Sequence, residues 1–101
     1  MKNYIENHAV VLIGNIASSV NVKVKNKERI EFKLAVSNDK YTSWFKVITF
    51  ESQLIEQIKQ SSDEYSKGSL VKVSGKLQAS IYKEKPFLTL IADKLQTKAS
   101  S

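Results

Sequence analysis

From Val20 to Val36 an apolar side chain recurs at nearly every second position, and this two-residue period constrains the chain more than any other feature. Val20, Val22 and Val24 alternate with Asn21, Lys23 and Lys25. After the interruption Asn26-Lys27, the pattern resumes with Ile30, Phe32, Leu34 and Val36 against Glu31, Lys33, Ala35 and Ser37. Successive side chains of a strand leave opposite faces, so the period predicts a long hairpin with the apolar set turned inward and the charged set outward. A sheet with one wet, basic face follows.

Other segments extend this sheet. Val10–Ile16 is a short apolar run with Gly14 at a bend or bulge, and the polar cluster Ser37-Asn38-Asp39-Lys40 is a turn. Trp44 to Phe50 forms a third strand with apolar groups on both faces. The spacing then changes: Leu54, Ile55, Ile58 and Tyr65 share one helix face, with Ser52 as N-cap and Lys67-Gly68 as a basic last turn and terminal glycine. Leu70 to Tyr82, bent at Gly75, is a fourth strand; Lys83 to Pro86 turns the chain, and Phe87 to Ala92 is a fifth. A chain of 101 residues without an internal linker makes one domain, residues 1–96, with 97–101 as a short disordered tail. Five strands with one helix between the third and fourth define an all-β OB-fold, a partly open Greek-key barrel.

Composition excludes several chemistries. There is no cysteine, hence no disulfide, thiolate zinc ligand or thiol nucleophile, and His8 is the only histidine, so no metal site or cofactor is expected. No nucleophile-base pair or carboxylate cluster stands out, so the chain is read as a non-enzyme without catalytic residues. No apolar run approaches membrane-spanning length and the first residues lack a signal-peptide layout, which predicts a cytoplasmic protein with no membrane partner. Sixteen Lys+Arg against ten Asp+Glu give a net charge of +6, which favours polyanionic partners. Many basic domains bind no nucleic acid, so the placement of these charges has to decide.

On the third strand Trp44, Lys46, Ile48 and Phe50 share one face, and Phe45, Val47 and Thr49 the other. If the second set fills the barrel, the first displays an indole and a phenyl ring around a lysine, which suits unstructured nucleic acid: flat surfaces for bases and a cation for phosphate. The alternative is that Trp44 and Phe50 pack under the helix or in a subunit interface. Outward positions near Gly75 add Lys72, Lys76, Gln78 and Tyr82, and the first hairpin adds Lys23, Lys25 and Lys33. Each lysine taken singly could be no more than a solvated strand residue or an edge gatekeeper; their joint alternation with aromatics is the evidence for binding.

The stretches Asn7–Ile16, Phe32–Val36, Trp44–Phe50 and Glu64–Leu77 also resemble the bacterial single-stranded DNA-binding protein family, most specifically in the segment EYSKGSLVKVSGKLQ. The resemblance implies an OB-fold in which Trp44, Phe50 and Tyr82 are stacking aromatics. Glu51-Ser52 replaces the family's usual Gly-Lys, the helix region is longer, and the loop Asn38–Ser43 is shorter, with Tyr41 where a tryptophan-bearing segment is usual. The chain also stops without the family's acidic tip. The expected function is non-sequence-specific binding of single-stranded DNA in replication, recombination or repair, that of a mobile element included, by a homodimer or homotetramer. The alternative is an accessory subunit that docks on a replication protein, namely a polymerase, primase or helicase. The expected binding residues are Trp44, Phe50, Tyr82, Tyr41, Lys23, Lys25, Lys33, Lys46, Lys72 and Lys76.

Overall fold

The computed structural model describes residues 9–97, and within that range the side chains of Lys25, Ser80, Tyr82 and residues 85–87 lie outside the description. The elements are β1 (Ala9–Ile16), β2 (Asn21–Lys25), β3 (Lys27–Ser37), β4 (Thr42–Thr49), α1 (Ser52–Gln60), β5 (Leu70–Tyr82) and β6 (Lys85–Thr97). The sheet runs β1-β5-β6-β4-β3-β2, and β1 also pairs with β3 at Asn15 and Ile16. That pairing closes β1, β5, β6, β4 and β3 into a five-stranded barrel, the OB-fold expected, with the helix between β4 and β5. All pairings are antiparallel except β4 with β6.

Alternation builds the interior. Ile30, Phe32, Leu34, Val47, Val71, Val73 and Leu90 point inward and are buried, and Leu54, Ile55 and Ile58 of α1 join them. Thr49 is buried among them, its hydroxyl donating to the carbonyl of Ala92 (2.9 Å) and accepting from the Glu51 amide (3.2 Å). The Ala92 carbonyl lies beside the register shift at Ser74/Gly75, where β6 contributes an extra residue and the sheet coils.

Several details depart from the sequence reading. Val22 and Val24, expected inward, are 47% and 74% exposed, because β2 pairs only with β3 and carries its apolar face past the barrel wall. Glu31, expected on the wet face, does point outward but is buried beneath cations. The helix N-cap is Glu51 without a side-chain cap, and Ser52 is already helical. The helix ends at Gln60, where the Ser61 amide closes it on Gln57 and Ile58, so its basic last-turn residue is Lys59. Tyr65 belongs to the following turn. It is still buried, and its hydroxyl accepts from the Gln57 amide at 2.6 Å. Gly68 adopts a φ of 98° in the loop before β5, not at the helix end. The last turn is tighter than expected: Tyr82 pairs with Lys85, leaving Lys83 and Glu84 as a two-residue turn with φ of 51° and 65°. β6 also runs on to Thr97, which is buried opposite Val71. His8 lies outside the described residues.

Gly75 is where the closed sheet leaves least room. A Cβ there would overlap the carbonyl oxygen of Ile91 and approach the Ala92 Cα to 2.8 Å, both of them backbone atoms that cannot rotate away. Gly75→Ala is therefore expected to destabilise the fold by about 2–3 kcal/mol, read as a lowered denaturation midpoint at unchanged m-value. A neutral substitution would show that the bulge can open.

Candidate nucleic-acid interface

The register of β3, β4, β6 and β5 assembles the outer face in rows. Lys33 pairs with Lys46, Lys46 with Thr89, and Thr89 with Gln78. The next row runs from Asn21 through Glu31, Ile48 and Ile91 to Lys76. A further pair, Lys23 with Arg29, flanks it on the β2 side. With Val47 and Thr49 buried, Trp44 and Lys46 must leave by the opposite face of β4, and Trp44 is 62% exposed. Phe50, just beyond the strand, is partly exposed too, with the Lys27 ammonium 5.7 Å from its ring centroid. The two rings are six positions apart along the chain, a distance of about 20 Å that several nucleotides would span.

Most of the expected residues therefore meet on one surface: Trp44, Lys46, Lys33, Lys23 and Lys76 line adjacent rows, and Phe50 sits at one end. Tyr41 lies beyond the other end, exposed in a turn where the Asn38 side-chain oxygen accepts from the amides of Lys40 (2.8 Å) and Tyr41 (3.0 Å). Lys72 stands apart, beyond the bulge, between Ile13 of β1 and Gln96 of β6. The side chains of Lys25 and Tyr82 lie outside the description. Arg29, Lys27 and Glu31 were missed. Placing them requires the β2–β3–β4 register, which a two-residue period does not supply.

Glu31 organises the centre of this face. Its Oε2 accepts from Arg29 Nε at 2.6 Å and lies 3.6 Å from Lys23 Nζ, while Oε1 lies 3.1 Å from Lys46 Nζ. Burial works against the charged carboxylate, but the hydrogen bonds from Arg29 and Lys46 and the charges of Lys46 and Lys23 outweigh it, and its pKa is held below the ordinary carboxylate value. A separate ion pair, Lys59 to Glu28 at 2.7 Å, ties α1 to β3 on the other side of the strand. Among the described residues no cluster of three or more His, Cys, Asp or Glu side chains could hold a metal ion, and no helix is long and apolar enough to cross a membrane.

Because the folded-state pKa of Glu31 is depressed, its contribution to stability is complete above about pH 4.5 and is lost as the pH falls through the folded value. Glu31→Gln is expected to cost about 1 kcal/mol at neutral pH, since the half-exposed lysines can turn to water, and the cost should shrink below that pH. Thermal melts of both proteins across the acid range check it; a gap independent of pH would mean that the carboxylate charge plays no part.

Comparison with known proteins agrees with this architecture. The small single-stranded DNA-binding protein from Streptomyces coelicolor superposes with a TM-score of 0.73 at 19% identity, covering 97% of this chain and 95% of that one. A crystal form of the mitochondrial single-stranded DNA-binding protein Rim1 from S. cerevisiae gives 0.74 at 19% identity, covering 97% and 96%. The dimeric N-terminal domain of PriB from Thermoanaerobacter tencongensis gives 0.67 at 21%, covering 91% and 97%. A search of curated protein sequences found no match. Residues 7–96, nearly the whole chain, match the single-strand binding protein family, and the chain belongs to that family.

Proposed function

We propose that this protein binds single-stranded DNA without sequence preference, laying the strand across β4 so that bases stack on Trp44 and Phe50 while lysines meet the phosphates. The observation that carries the reading is the exposed indole of Trp44, paired with Ala35 in the row next to the Lys33–Lys46 row on the same face. A large aromatic ring left in water beside cations gains contact and loses little when a base covers it, and every base offers a π-face. Replication, recombination or repair, with or without a mobile element, would be the settings for such an activity, and the protein itself would need no catalytic group.

Assembly into a homo-oligomer is part of the proposal. β1 pairs with β3 only at Asn15 and Ile16, so its backbone from Ala9 to Ile13 has no strand on that edge among the described residues. Val11 and Ile13 are more than half exposed on the same strand. A second copy pairing there would cover both the edge and the valine-isoleucine stripe. The alternative, an accessory module docking on a polymerase, primase or helicase, would use the open groove of about 370 Å³ between α1 and β6, lined by Gln53, Leu54, Gln57, Asp93 and Lys94 among others.

Two measurements test these readings. Saturating poly-dT should quench the fluorescence of Trp44, the only tryptophan, and Trp44→Ala should weaken binding by roughly 1–3 kcal/mol with an unchanged melting temperature. Unchanged emission would remove Trp44 as a platform and favour the accessory reading. Ile13→Lys should convert the oligomer to monomers in light scattering; an unaltered mass would place the interface elsewhere.

A further inference from the structure

A surface built to receive a polyanion holds, at its centre, a buried acid. In the rows described above Glu31 is the one carboxylate, flanked by the Lys33–Lys46 row on one side and the Lys23–Arg29 pair on the other. It is 6% exposed, whereas the side chains of Lys23 and Lys46 keep about half their surface in water. Both of its oxygens are already engaged by cations, so it offers little to a base edge. Lys33, directly opposite Lys46, and Lys76, at the far end of the Glu31 row, form no ion pair among the described residues.

We propose that Glu31 is a resident counter-charge that stands where a phosphate would otherwise sit among Lys23, Arg29 and Lys46. In the free protein it holds these three cations against the sheet. In the complex it discounts them, because a phosphate reaching Lys46 meets a charge already half neutralised by a carboxylate that cannot leave. The grip on the backbone then falls to Lys33 and Lys76, and the face binds more weakly and releases faster than its cation count implies. This inference rests on the single-strand-binding reading and adds to it a residue that sets the strength of binding.

Glu31→Gln keeps the shape and removes the charge. Titrated with poly-dT across a salt series, it should bind roughly threefold or more tightly than the wild type at low salt, the gain expected from removing one charge several ångströms from a phosphate in a water-like medium. The slope of log affinity against log salt should steepen by about 0.7, one more phosphate neutralised, and the gain should fade as salt screens it. Glu31→Asp, which keeps the charge, should retain the wild-type slope. Weaker binding by both variants would overturn the inference, showing that the carboxylate serves only to shape Lys46; so would an unchanged affinity and slope for Glu31→Gln. If circular dichroism shows that Glu31→Gln fails to fold, the lysines decide. Lys33→Gln should flatten the slope by about 0.7 and Lys46→Gln by clearly less, and equal flattening would overturn the idea. Absence of wild-type binding to poly-dT would overturn the binding reading together with this inference, whereas the other adverse results overturn this inference alone.

Discussion

Closure of the sheet along the seam between β4 and β6 is the constraint on which the rest depends. Only Lys46–Ile48 and Thr89–Ile91 pair there, in parallel, and the Thr49 hydroxyl extends the seam by reaching the Ala92 carbonyl. A closed sheet has one inside and one outside, so burying Val47 and Leu90 turns Lys46, Ile48, Thr89 and Ile91 outward. The aromatic and basic surface is thus a by-product of core packing: nothing else needs to hold Trp44 in water.

Cations gathered on one face repel each other, and the fold meets that cost unevenly. Three of them share Glu31, and Lys27 rests over the Phe50 ring. A pairing that steadies the free protein also lowers the charge available to a ligand, so the same contacts pull stability and affinity in opposite directions.

Much of this was legible in the order of the residues. Alternation sorted Val47 and Thr49 onto one face of the third strand and Trp44 and Lys46 onto the other, because one strand has only two faces, but the choice of which face fills the barrel was made by the fold. It could not say whether a second layer would cover a face, which is why Val22 and Val24 emerged exposed. The burial of Glu31 depends on side chains from three strands meeting in register, and no single-strand period carries that. Tyr65 continues the spacing of Ile58 by seven residues and imitates another helical turn; the chain instead leaves the helix at Ser61 and returns the ring to the same core. Two adjacent residues with positive φ at Lys83-Glu84, neither of them glycine, follow from the two-residue turn that matches the twist of the long β5–β6 hairpin and not from local preference.

The pairing of β1 with β5 carries a consequence for the birth of the molecule. β2–β3, β3–β4 and β5–β6 join neighbours along the chain and can form as soon as they are synthesised, but Leu12 meets Val73 from the far side of the sequence. Until the ribosome has delivered β5, β1 can pair only through Asn15 and Ile16 with β3, and its backbone from Ala9 to Gly14 waits with both edges open and its valines uncovered. That interval exposes it to other nascent chains, and the lysines of β5 that later flank it do not yet exist to discourage them. In this topology the fate of the first strand made is decided by one of the last.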